Sequence, residues 1–272
     1  MTGHARMPYA EVIGDPIEQS KSPAIHGFWL GELGIKGEYH AMHIQADDLG
    51  TYLATRRGDA AWQGCNVTMP HKQAVMSLLD QIDLLATRVG AVNTIVRDAN
   101  GALKGFNTDV SGFLEPLLGQ TFPVVTVIGA GGAARAVLAA LAELGVSRVT
   151  LQNRNVAKAQ ALLAEFGLPG TAVELGADCP RADLLVNTSS LGMQGHPPLP
   201  PLLDHVAPHG TVYDIVTTPL ETALIEQARQ RGMAVIDGLT MLIGQADHAF
   251  AHFFGQHPPR QHDAALRARI TA

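Results

Sequence analysis

The chain has 272 residues, 46% of them apolar and 16% charged, with a formal net charge of -6. This composition excludes a disordered chain, and the length favours two hydrophobic cores over one. The negative balance argues against a nucleic-acid partner, and no run approaches the ~18 apolar residues of a membrane span. The start of the chain has no apolar stretch behind its positive residues, and Cys65 and Cys179 stand far apart without ligand spacing. These features predict a cytoplasmic protein with no secretory leader and no disulfide.

Short apolar runs alternate with longer amphipathic stretches, the pattern of βαβ units. In chain order the first part predicts a strand over 9–13, a helix over 23–33, a strand over 38–44 and a helix over 46–57. A short buried strand over 64–67 and a helix over 70–79 follow. A hairpin comes next, with strands over 92–97 and 103–106 flanking a turn that contains Asn100-Gly101. The second part opens with an almost wholly apolar strand over 124–128, a Gly-rich turn and a helix to about 144. Strands over 148–152, 183–187, 211–215 and 234–236 alternate with helices over 156–166 and 221–231. A long helix over 239–254 is expected to return toward the first part. The expected division is a substrate-binding α/β domain over 1–112, completed by 245–272, and a Rossmann-type doubly wound dinucleotide-binding domain over 113–244.

Gly129-Ala130-Gly131-Gly132-Ala133-Ala134 stands between an apolar strand and an Ala-rich helix. That is the context of a dinucleotide fingerprint, in which Gly129 allows the turn, Gly131 admits the pyrophosphate and Ala134 keeps helix and strand close. NAD enzymes place an acid on the ribose about 20 residues further on. Here the next strand ends in Asn153-Arg154, with Lys158 four residues later. Cations with a forked donor geometry suit a 2′-phosphate, so NADP is favoured, with NAD as the alternative.

Polar clusters stand at the ends of the first part's strands. Ser20 and Ser22 precede Pro23, and Ser22 also reads as a helix N-cap with Pro at N1. Asn66, Thr68 and Lys72 follow the short buried strand. Thr68 reads equally as a cap, but a lysine in the first turn of a helix meets an unfavourable dipole, which hints at function. Asn93 and Asn107-Thr108-Asp109 complete the set.

Taken in order, Ser20-x-Ser22-Pro23, Asn66-Val-Thr68-x-Pro70-x-Lys72, Ala91-Val-Asn93-Thr94, Asn107-Thr108-Asp109, the Gly129–Ala133 turn, Asn153-Arg154 and Asp237-Gly238-Leu239 resemble the shikimate/quinate dehydrogenase family. The resemblance runs from Ile13 to Phe250. It implies an NADP(H)-dependent oxidoreductase acting on a small ring hydroxy acid held in a cleft between an N-terminal α/β domain and a nucleotide domain. It implies that Ser20 and Ser22 hold the ring carboxylate, that Asn66, Thr68, Asn93, Asp109 and Gln245 bind the ring, and that Lys72 is catalytic together with Asp109, close to it. On the cofactor side it implies Gly129, Ala130, Gly131, Gly132, Ala133, Asn153, Arg154, Lys158, Thr188 and Gly238. A lysine at the alcohol can take its proton as general base and return it in reverse.

Three positions depart from the family pattern. Thr217 stands where a tyrosine is common, Thr240 replaces a glycine in Gly238-Leu239-Thr240-Met241, and Asn155 replaces a threonine after Arg154. Together they point to a paralogue acting on shikimate, quinate or a relative. His248 and His252 are four apart, yet no third ligand accompanies them and HExxH is absent, so no metal is expected. His26, His40 and His43 are scattered. The expected assembly is a monomer or homodimer. A non-catalytic nucleotide or metabolite sensor of the same fold is the alternative function; retention of Lys72 and Asp109 argues against it.

Overall fold

The computed structural model describes residues 6–271, which form two compact units. The first runs to Thr108 and resumes at Gln245; the second is Asp109–Gly244. The first crossing therefore falls at the start of the helix that contains residue 112.

The first unit comprises β1 (Tyr9–Gly14), α1 (Ser22–Glu32), β2 (Glu38–His43), α2 (Leu49–Arg57), β3 (Trp62–Val67), β4 (Gln81–Ile82), α3 (Leu84–Val89), β5 (Thr94–Arg97) and β6 (Leu103–Phe106). Its sheet has the order β2-β1-β3-β5-β6-β4. β1 pairs parallel with β2 and β3, whereas β3/β5 and β5/β6 are antiparallel. One face buries Ile13, Trp62, Cys65, Val67, Val92, Ile95 and Leu103 together with Leu49 and Leu53 of α2. Fully burying an aliphatic side chain of this kind contributes roughly 1.5–3 kcal/mol. Glu11 is buried in β1 because Arg56 grips it with two bonds of 2.8 Å and the Tyr52 hydroxyl donates to it at 2.6 Å. Losing Arg56 would strand that carboxylate at a cost of about 3–5 kcal/mol.

The second unit comprises α4 (Asp109–Leu114), β7 (Val124–Ile128), α5 (Gly132–Leu144), β8 (Arg148–Gln152), α6 (Val156–Glu165), β9 (Gly170–Val173), β10 (Ala182–Asn187), β11 (Val206–Asp214), α7 (Ala223–Gln230) and β12 (Ala234–Ile236). All its strand pairs are parallel, in the order β12-β11-β10-β7-β8-β9. Counting from β7, that is 6-5-4-1-2-3, the doubly wound dinucleotide order, with its switch point between β7 and β10. α8 (Gly238–Phe254) starts in this unit and its residues from Gln245 onward belong to the first. There Ala249 and Phe253 pack on Ala10, Val12 and Tyr39. α9 (Asp263–Thr271) ends the described chain, and the Lys21 ammonium donates to the Ile270 carbonyl at 2.9 Å, where a helix end favours a cation.

Two local expectations are overturned. No α-helix spans 70–79; the segment is a series of turns with a 3-10 stretch only at Ala74–Leu78. The Lys72 carbonyl accepts from Val92 N at 2.8 Å, so it is not available to an i+4 amide, and Met76 N turns to Gln73 O instead. Lys72 therefore stands in a turn and not in the first turn of an α-helix, and meets no helix dipole there. Ser22 is not a cap either. It is the first residue of α1, behind Lys21, and its amide donates to Ser20 Oγ at 3.3 Å.

Candidate active site

The register of the first sheet gathers its polar residues at one edge. Asn66 lies opposite Thr94, and Thr94 opposite Phe106, so Asn93, Asn107 and Thr108 emerge together beyond the strand ends. β3 runs parallel to β1, so the loop carrying Ser20 and Ser22 leaves from the same edge.

A buried hydrogen-bond chain joins most of them. Ser22 bonds to Tyr39, whose hydroxyl donates to Asn66 Oδ1 at 2.6 Å. Burial drives the Tyr39 phenol well above its ordinary pKa, so it stays a donor. Asn66 Nδ2 donates to Thr94 Oγ1 at 3.0 Å, and Thr94 Oγ1 to Asn93 Oδ1 at 3.0 Å. Asn93 Nδ2 donates to Thr108 Oγ1 at 3.0 Å and to Gln245 Oε1 at 3.5 Å, while Thr108 N donates to Asn93 Oδ1 at 2.8 Å. Ser22, Asn66, Asn93 and Gln245, four residues singled out in the sequence, thus share one network. Tyr39, Thr94 and Thr108 bind them together; Tyr39 alternates with polar neighbours in β2, and nothing in its spacing marks it.

Ser20 and Thr68 are half-buried beside this network. Thr68 N donates to Ile13 O at 2.9 Å, and its carbonyl accepts from His71 N at 3.0 Å. Lys72 is half-buried in the turn that follows. His71 holds that turn: it is buried, and its Nε2 donates to Ile44 O at 2.6 Å. Asp109 is buried at the start of α4, in the second unit.

In the second unit the Gly-rich turn lies at the switch point. Gly129 has φ +100°, and a Cβ there would stand 3.0 Å from Thr188 Oγ1 and 3.1 Å from Ser189 N, so only glycine fits. Thr188, after β10, already donates to Ile128 O at 2.7 Å. Gly131 caps α5 with φ −94°, and Cβ atoms at Gly131 or Gly132 would meet nothing within 4 Å. The fold therefore does not require these two glycines, but a ligand approaching the amides of the α5 N-terminus would. Ala130 and Ala134 are buried, and Ala133 lies in the first turn of α5. Asn153 Nδ2 donates to Asn155 O at 2.9 Å, and Asn155 caps α6 by accepting from Lys158 N at 3.0 Å. Arg154 and Lys158 are exposed. Gly238 opens α8 where a Cβ would meet Ile215 O and Val216 O at 2.4 Å. Thr240 donates through its amide and hydroxyl to Asp237 Oδ1, each at 3.0 Å, which binds its hydroxyl into the start of that helix.

Among the described residues, His26, His248 and His252 donate no hydrogen bond into these clusters. His252 stacks on Phe106 at 4.1 Å and His248 meets His257 edge-on. His26 is fully buried, stacked on Tyr39 at 4.0 Å.

Two family models match. The shikimate dehydrogenase substrate binding domain covers residues 12–95, and shikimate / quinate 5-dehydrogenase covers 120–188. A shikimate dehydrogenase (NADP(+)) of Sphingopyxis alaskensis is 54% identical over 97% of both chains. This chain belongs to the shikimate dehydrogenase family. Among solved structures, shikimate 5-dehydrogenase of Thermus thermophilus in complex with NADP(H) and shikimate aligns with TM-score 0.87 at 38% identity, covering 97% of this chain and 100% of that one. Quinate dehydrogenase of Corynebacterium glutamicum in complex with NAD aligns with TM-score 0.88 at 32% identity, covering 97% and 99%. These likenesses support an enzyme and give no support to the sensor alternative.

Proposed function

We propose that this protein is an NADP(H)-dependent oxidoreductase that interconverts 3-dehydroshikimate and shikimate, with quinate as the alternative ring acid. The observation that carries this reading is the 54% identity, along 97% of the chain, with an NADP(+)-named shikimate dehydrogenase. The geometry of each unit is in keeping with it. The network from Ser22 to Gln245 offers hydroxyl and amide groups in fixed orientations, suited to a ring bearing several hydroxyls and a carboxylate. Ser20 and Ser22 take the carboxylate; Asn66, Thr68, Asn93 and Gln245 take the ring oxygens. Lys72 removes the proton from the reacting hydroxyl during oxidation and returns it during reduction, and Asp109 bonds a ring hydroxyl.

The second unit's residues fit a phosphorylated dinucleotide. The open space over Gly131 and Gly132 admits a pyrophosphate to the α5 N-terminus, and Gly129, Ala130, Ala133, Thr188 and Gly238 line the same end of the sheet. Arg154, Lys158 and Asn153 stand at the head of α6, where a 2′-phosphate would find two cations. When bound, NADP supplies the hydride acceptor or donor. Among the described residues no helix is long and apolar enough to cross a membrane, and a cytoplasmic site of action is the proposed one.

The test is an activity matrix: shikimate and quinate, each with NADP and NAD, followed by absorbance of the reduced nicotinamide. Turnover is expected to be highest with shikimate and NADP. A best rate with quinate would move the substrate assignment, and no turnover in any combination would overturn the function.

A further inference from the structure

We propose that Asp214 is a positioning residue for the dinucleotide, fixing the two turns that flank the Gly-rich loop. Asp214 closes β11 and is fully buried. Its Oδ1 accepts from Asn187 Nδ2 at 2.9 Å and from Val216 N at 3.1 Å, and its Oδ2 accepts from Thr222 Oγ1 at 2.7 Å. Asn187 is also fully buried, and it passes the constraint on. Its Oδ1 accepts from Ser189 N at 3.0 Å and Ser189 Oγ at 2.7 Å, and its Nδ2 donates to Leu191 O at 3.1 Å.

One carboxylate therefore ties three segments together: the turn after β10, the turn after β11 and the head of α7, where Thr222 also caps Ile225 N. The first of these turns touches the Gly-rich loop, because the space beside Gly129 is filled by Thr188 and Ser189. The second lies against Gly238 through the Ile215 and Val216 carbonyls. In a doubly wound sheet the ligand lies beyond the carboxyl ends of the strands at the switch point. Two turns held at that edge by a single buried acceptor set the walls of the dinucleotide site. A carboxylate here needs all its donors, since burial pushes Asp214 up while Thr222, Val216 and Asn187 pull it down.

This inference rests on the dinucleotide reading given above. The full-length chain carrying Asp214→Ala is compared with wild type by NADPH fluorescence titration, steady-state kinetics, circular dichroism and thermal melting. Losing these bonds is expected to raise the Kd for NADPH about tenfold while the KM for the ring acid stays within about twofold. Asp214→Asn keeps an Oδ1 that accepts from Asn187 and Val216, so its NADPH affinity should stay within about threefold of wild type. Ser189→Ala cuts the network at its partly exposed end; its Kd should rise about threefold with the melting temperature unchanged. A folded Asp214→Ala protein with wild-type NADPH affinity overturns the inference, as does an Asn variant as weak as the Ala variant. If Asp214→Ala does not fold, an unchanged Kd in Ser189→Ala overturns it. Wild type that binds no NADPH refutes the proposed function and this inference with it; wild type that binds, with variants that do not differ from it, refutes the inference alone.

Discussion

At the scale of single residues, Lys72 and Gly131 separate chemistry from folding. Lys72 is half-buried and its backbone carbonyl is fixed by Val92, so removing the side chain leaves the turn's main-chain bonds in place. Lys72→Ala is expected to lower kcat by about two to four decades, the usual worth of positioned proton transfer, with a smaller change in KM. Near-normal turnover would remove it from the mechanism. Gly131 is the converse case. Its φ is ordinary and its Cβ direction is open. Gly131→Ala should hold or slightly raise the melting temperature, since the unfolded chain loses freedom worth about 0.4–1 kcal/mol, yet it should weaken NADPH binding at least tenfold, on the order of one lost close approach. His26 carries a pH signature. Buried between aromatic rings with both ring nitrogens unpartnered, it is held neutral, its pKa pushed down to about 3. Because the folded value lies below the unfolded one, its contribution is present above pH 6.5 and drains away as pH falls toward 3. His26→Phe should therefore melt more evenly across that window, while a melting curve series as steep as wild type would exonerate this histidine.

At the scale of elements, Gly238 shows how one atom decides a junction. A methyl group there would collide with two carbonyl oxygens at 2.4 Å, at the point where α8 begins. Gly238→Ala is expected to cost about 1–3 kcal/mol as an overpacked site, seen as a lower denaturant midpoint. Legibility of the elements from sequence follows the same physics. β7 is buried on both faces and reads as a short, mostly apolar run, and the Gly-rich turn and Ala-rich α5 mark themselves. The 70–79 segment misleads because Pro70 and the apolar positions Val75, Met76, Leu78 and Leu79 mimic a helix, while the amide of Val92, in the loop ahead of β5, claims the Lys72 carbonyl. α3, α4 and β9 are six, six and four residues long, too short for any periodicity to show. In the site, Ser22, Asn66 and Asn93 were legible through ordered motifs, and Gln245 only through the family resemblance. Tyr39 and Asp214 were not, because what distinguishes them is a partner far away in the chain.

At the scale of the whole molecule, each unit has its own sheet and its own core. The second unit is one uninterrupted stretch, Asp109–Gly244, whereas the first needs both chain segments. Residues 109–244 expressed alone are expected to fold and bind NADPH without turning over shikimate; a chain that stays unfolded by circular dichroism would show that its core depends on the remainder. The two sheets also differ in how they finish. Their outermost strands are β4 with two residues, β12 with three, β9 with four and β2 with six. Short borders give a stray polypeptide little to zip onto. β2 alone is long enough to template an intruding strand, and its outward Glu38, His40 and His43 then act as guards against aggregation: replacing them with apolar residues would open that border to self-association before any effect on chemistry was felt.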